Sequence, residues 1–115
     1  MPYNFSAASA AIATPYHIQE AQQFQDGLNT LYETMKRGLE DDEEIAVFYE
    51  TSKETVRVDR IKMACNSVLI LAGEDMEGNR TAVAGHFKSM NLIYKKVKLG
   101  DKKQRTPIGF DTVTG

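Results

Sequence analysis

Apolar residues recur at intervals of three and four from Ala21 through Phe24, Leu28, Leu31 and Met35, and Tyr32 and Leu39 widen the stripe. Gln22, Gln23, Gln25, Asp26, Asn29 and Glu33 fill the opposite positions, so this stretch predicts an amphipathic helix of about six turns. Thr14 is placed to cap it, Pro15 to take the first helical position where a missing N–H costs nothing, and Gly38 to end it. Gly27 weakens such a helix by up to ~1 kcal/mol relative to alanine. Packing against a sheet or a second chain must therefore stabilise it.

Beyond Gly38 the period changes from helical to alternating. Ile45, Val47 and Tyr49 alternate with Ala46 and Phe48, which predicts a strand covered on both faces. Thr51–Glu54 reads as a turn into a second strand over 55–61, with Val56 and Val58 on one face and Arg57 and Asp59 on the other. Val68–Leu71 is a third strand, and Glu74–Asn79 a hairpin connection into a fourth over 80–84. After Gly85-His86, the spacing of Phe87, Met90, Tyr94 and Val97 favours a second helix, with a last strand as the competing reading because Leu92-Ile93-Tyr94 is β-prone. The expected fold is α+β: an N-terminal amphipathic helix, a four-stranded antiparallel meander, a second helix and a basic C-terminal tail. Residues 1–13 read as a mobile N-terminal arm and 14–115 as a single α+β domain, a common size for one core.

Charge adds a feature that the pattern of apolar positions does not show. Residues 1–54 carry ten carboxylates against three cations, a net of −7, whereas residues 55–115 carry eleven cations against six carboxylates, a net of +5. Six of those cations fall between Lys95 and Arg105. The near-neutral total thus hides a dipolar chain whose C-terminal third suits an anionic partner. The acidic run Glu40–Glu44 reads as a solvated connector. Duplex nucleic acid is disfavoured, because a pI near 5.7 gives no broad basic footprint. No apolar run approaches the roughly 20 residues of a membrane span. The single Cys65 excludes an internal disulfide and suits a reducing, cytoplasmic setting.

Catalytic signatures are absent. His17 and His86 are the only histidines, neither has a metal-ligand neighbour at a productive spacing, and no nucleophile elbow, P-loop or dinucleotide fingerprint occurs. The chain reads as a non-enzyme without metal or cofactor. Recognition groups are better represented. Gly85–Asn91 sets His86, Phe87 and Asn91 around an expected helix start, where free N–H groups favour phosphate. Phe87 can stack on a purine, Asn91 can read a base or ribose edge, and Arg57, Arg80 and Arg105 can form bidentate bonds to phosphate. Each has a plainer reading: Phe87 as core, Asn91 as a solvated amide, Arg57 as an exposed strand residue.

The order of helix, meander, Gly85-His86-Phe87-Lys88-Ser89-Met90-Asn91-Leu92-Ile93-Tyr94 and a basic tail closing in Arg105-Thr106-Pro107-Ile108-Gly109-Phe110 resembles a family of small phage and bacterial proteins. More loosely, it resembles phage Thoeris anti-defence sponges, which sequester cyclic nucleotide immune signals. That resemblance implies a non-enzymatic homo-oligomer in the host cytoplasm, binding a cyclic ADP-ribose isomer or a cyclic oligonucleotide, with Phe87, Asn91 and Arg105 in the pocket. The alternative reading is a homo-oligomeric structural or protein-interaction module without a small-molecule ligand. In that case the lysine-rich tail would pair with the Glu40–Glu44 run of another copy.

Overall fold

In a computed structural model the chain is described over residues 6–111, with side-chain surroundings from Glu20 onward. One α-helix, α1 (Ser6–Arg37), is followed by β1 (Glu43–Glu50), β2 (Thr55–Ala64), β3 (Val68–Asp75) and β4 (Arg80–His86). A single 3₁₀ turn at Phe87–Ser89 then leads to β5 (Ile93–Lys98) and a two-residue β6 (Gly109–Phe110). The helix begins before Thr14 and Pro15, which lie inside it. Five alanines between Ala7 and Ala13 supply the propensity for that early start. The expected arm over 1–13 is thus helical from Ser6, and its first five residues lie outside the described ones.

The expected pair of helices around a four-stranded meander is corrected to one α-helix and six strands among the described residues. Five strands run in the spatial order β4-β3-β2-β1-β5, all antiparallel, so the chain leaves one edge of the sheet at His86 and rejoins it at the other edge at Ile93. Residues 87–97 are therefore a crossover followed by an edge strand, not a helix. Their three-and-four spacing has a different origin. Phe87 and Met90 bury on the crossover, whereas Tyr94 faces α1 from β5 and donates its hydroxyl to the Leu28 carbonyl at 3.0 Å. β6 pairs in parallel with β2 at Arg60 and Ile61, just past Val58 where β1 stops pairing.

Strand alternation sorts side chains onto two faces. Ile45, Val47, Val56, Val58, Ile61, Met63, Leu69 and Leu71 are buried together with Ala21 and Tyr32 of α1, and Phe24, Leu28 and Met35 pack against them. The helix that the sequence left in search of a partner thus finds one in its own sheet, and Leu31 remains 45% exposed. Phe110 contacts Tyr32 at 5.5 Å between ring centroids, and Gln25 Nε2 donates to the Asp111 carbonyl, so the C-terminal strand is clipped to the helix. The register of β2 against β3 shifts between Val58 and Arg60, which places Asp59 in a bulge. Gly73 is required opposite it: a Cβ there would lie 1.8 Å from the Arg57 carbonyl oxygen.

Candidate functional site

Among the described residues the other face of the sheet carries no helix. Register pairs Phe48 with Arg57, Arg57 with Glu74 and Glu74 with Arg80, so these four side chains form one row across β1, β2, β3 and β4 on that face. Glu44 lies two positions further along the same side of β1 as Ala46 and Phe48. The segment from Leu99 to Ile108 folds back over this end of the sheet as a strap. Between strap, strands and the β3–β4 hairpin lies an open cleft of about 460 Å³, lined by Phe48, Arg57, Asp59, Glu74, Met76 and Lys102, among others.

Glu44 holds the strap in place. Its carboxylate is 2% exposed and accepts Lys102 Nζ at 2.7 and 3.0 Å, the Thr106 backbone N–H at 3.0 Å and Arg57 Nη2 at 3.1 Å. Burial pushes this carboxyl upward, but the Lys102 and Thr106 hydrogen bonds and the positive charges of Lys102 and Arg57 outweigh it and hold it below the usual value. Lys102 also donates to Thr106 Oγ1 at 2.6 Å, so its ammonium is shared between Glu44 of β1 and the strap. At the strap's outer end, Arg105 donates to the backbone carbonyls of Glu43 and Glu40 at 2.7 and 2.9 Å, and Lys98 pairs with Asp42 at 3.1 Å. The acidic run over 40–44 and the basic run over 95–105 thus meet within one chain.

Arg57 is differently placed. One of its amino groups reaches Glu44, its guanidinium carbon lies 6.0 Å from the Phe48 ring centroid, and its side chain is 44% exposed. Arg57 is among the residues that line the cleft. Asp59 is neutralised by a bidentate pair with Arg80 at 2.6 and 2.7 Å, which also draws its carboxyl below the usual range. Asp75 accepts the backbone N–H groups of Glu77 and Asn79, both at 2.9 Å, so it is committed to the hairpin turn. The Glu74 side chain makes no hydrogen bond among the described residues, and its charge acts on Arg80, its neighbour across β3 and β4. Met76, 80% exposed, and Phe48 supply apolar surface between these charges.

The six residues singled out from sequence do not share one site. Arg57 lines the cleft, and Arg80 stands beside it through Asp59. Arg105 ties the strap to backbone, and Asn91 is exposed on the crossover. Phe87 is 7% exposed and packs on Phe24 at 5.0 Å between ring centroids, so its face is occupied by the core. His86 stacks on Phe87, and its Nδ1 accepts the Lys88 N–H at 3.1 Å, which leaves Nε2 as the protonated nitrogen of the neutral ring.

His86 and Phe87 border a second hollow of about 420 Å³ with Glu20, Cys65, Asn66, Ser67 and Lys88. Cys65 and Asn66 belong to the three-residue turn between β2 and β3, both with positive φ, 53° and 64°, and the Ser67 N–H donates to the Ala64 carbonyl at 3.3 Å. Lys88 is spent on Glu20 at 3.3 Å, and no hydrogen bond joins Cys65 to His86. No nucleophile–base pair is assembled there. Among the described residues no group of three or more histidine, cysteine, aspartate or glutamate side chains could hold a metal ion.

Glu44, Phe48, Glu74, Met76 and Lys102 escaped the sequence reading. Glu44 looked like one more member of an acidic run, and only the strap makes it a buried anchor. A usable signal was the phase of β1: Glu44, Ala46 and Phe48 share the face of Arg57. No helix among the described residues is long and apolar enough to cross a membrane. Comparison with protein-family models, with curated proteins and with solved structures finds no match.

Proposed function

We propose that the chain is a non-catalytic binding protein that sequesters an anionic, nucleotide-derived small molecule, such as a cyclic nucleotide signal, in the cleft beneath the strap. The observation that carries this reading is Arg57. A guanidinium that is bonded to a buried carboxylate, lies over an aromatic ring and belongs to a half-exposed residue lining a cleft is a good group for binding phosphate. Phe48, whose ring already lies under Arg57 and Lys95, and the exposed Met76 add apolar surface to the lining. A cleft of this volume, lined by charged groups together with Phe48 and Met76, has the dimensions of a small-ligand site.

Isothermal titration against cyclic ADP-ribose isomers, cyclic di- and trinucleotides and simple mononucleotides tests the reading. Saturable binding that weakens roughly 10- to 100-fold in Arg57→Ala supports it, as expected for loss of a charge-assisted contact. Absence of binding across the panel overturns it.

A second reading, a homo-oligomeric module, is favoured by one feature: the outer edges of β4 and β5 carry unpaired backbone groups among the described residues, a template for strand addition. Light scattering distinguishes an assembly from one 12.9 kDa chain.

A further inference from the structure

β4 is bonded to β3 on one side and, among the described residues, to no strand on the other. Main-chain bonds beyond its two ends fix which of its residues turn outward. The Asp75 N–H donates to the Asn79 carbonyl and the Phe87 N–H to the Ser67 carbonyl, both at 3.0 Å. Bonding alternates from residue to residue in an antiparallel ladder, so Thr81, Val83 and Gly85, in phase with Asn79 and Phe87, bond β3. Ala82 and Ala84 therefore direct their N–H and C=O groups away from the sheet, and both residues are exposed. The opposite edge of the sheet is built differently. There the Leu99 N–H donates to the Asp42 carbonyl at 2.7 Å, and the same alternation turns the main-chain groups of Tyr94, Lys96 and Lys98 of β5 outward. Lys95, Lys96 and Lys98 are exposed, and lysines on an edge strand oppose the addition of another strand. β4 carries no charge, proline or bulge between Arg80 and His86.

We infer that β4 is the docking edge for a second copy of this chain, added antiparallel about a two-fold axis at Val83. A register centred on Val83 overlaps the whole strand. Ala82 of each copy then exchanges main-chain bonds with Ala84 of the other, and the small side chains let the backbones approach. The two Val83 side chains meet at the closely spaced, non-hydrogen-bonded position, on the face where Val83 already packs against the core. A charged peptide finds no counter-charge over 81–85, whereas an identical strand matches it in size and neutrality. The pairing leaves β5 at both outer edges, where the lysines stop further growth, so the assembly closes as a dimer. This rests on the reading of the chain as a homo-oligomeric module, which it narrows to one edge and one register, and it does not depend on what the cleft binds.

Analytical ultracentrifugation of the full chain at about 100 μM, a concentration suited to a small edge contact, is expected to give twice the mass of one 12.9 kDa chain. Proline is tolerated on an edge strand where the missing N–H faced solvent, so Ala84→Pro removes an outward donor and spares the bonds to β3. Should that variant fail to fold, the double variant Ala82→Lys with Ala84→Lys changes only two exposed side chains and sets lysine opposite lysine across the axis. Either variant, verified as folded by circular dichroism, is expected to weaken association about 10-fold or more. Lys96→Pro, the same change on β5, is expected to leave it within about 2-fold of the native chain. A native chain that stays monomeric overturns this inference and the module reading together. A dimer that persists in the β4 variants, or that Lys96→Pro dissociates, overturns the assignment to β4 and leaves the module reading standing. Masses that grow beyond the dimer overturn the two-fold closure.

Discussion

Lys102 Nζ lies 2.7 Å from Glu44 Oε2, joining a strap in the basic third of the chain to the first turns of β1. Glu44 is 2% exposed and the Lys102 side chain 40%, so the two partners respond differently to loss of the other. A lysine freed by Glu44→Leu regains water. A glutamate left by Lys102→Met stays buried with Arg57 and the Thr106 N–H as its remaining partners. Lys102→Met is therefore expected to cost about 2–3 kcal/mol and Glu44→Leu about 1 kcal/mol. The double variant should be close to Glu44→Leu alone. Urea denaturation measures all three, and strict additivity would show that the pair is not coupled. Lys103, exposed and without a bonded partner among the described residues, should be indifferent to substitution by alanine.

Acid should loosen this end of the molecule. The carboxyls of Glu44 and Asp59 are held below their ordinary values of 4.5 and 3.8 in the folded chain. A depressed carboxylate stabilises the fold above its unfolded value, and the contribution is lost as pH falls through the folded value. Stability should thus be level near neutrality and decline below about pH 4.5. In Arg80→Gln the Asp59 part of that decline should shrink. Chemical denaturation midpoints at stepped pH check both statements.

Two glycines predict opposite outcomes. At Gly73 a Cβ would collide with backbone at the Arg57 carbonyl, which no rotamer change relieves, so Gly73→Ala should cost about 3 kcal/mol or more. At Gly27 nothing lies within 4 Å of the added carbon, and the residue is in mid-helix. Gly27→Ala should stabilise the chain by about 0.5–1 kcal/mol. Thermal melts of both variants settle the pair of signs.

Phe87 separates a core role from a ligand role. Phe87→Ala should destabilise by about 3–5 kcal/mol, because it empties a site packed against Phe24 and enclosed by the crossover. Phe48→Ala, on a ring less deeply buried beside the cleft, should lose much less stability and weaken nucleotide binding instead. Denaturation and titration of the same two samples would reverse these assignments if ligand affinity followed Phe87.

Local spacing was enough to mark α1 from Ala21 onward, the positions of β1 to β4 and the turns between them, since each depends on a period of 3.6 or 2 and on turn residues nearby. It was not enough for residues 87–97, where three-and-four spacing also arises when a buried crossover leads into an edge strand. That choice depends on β1 having an open side for β5 to fill, a condition set far away in sequence. The candidate site shows the same division. Composition and charge order displayed an acidic first half and a basic end, and Arg57 was legible as an arginine on the face opposite Val56 and Val58. Its partners were not, because Glu44, Glu74, Met76 and Lys102 become neighbours only when the sheet sets its register and the strap returns across it. The sequence lists the groups and the local shapes they prefer; burial, pairing and the availability of a charge are properties of tertiary neighbours, and here they bury Phe87 against Phe24, pair Arg80 with Asp59 and tie Arg105 to the Glu43 and Glu40 carbonyls.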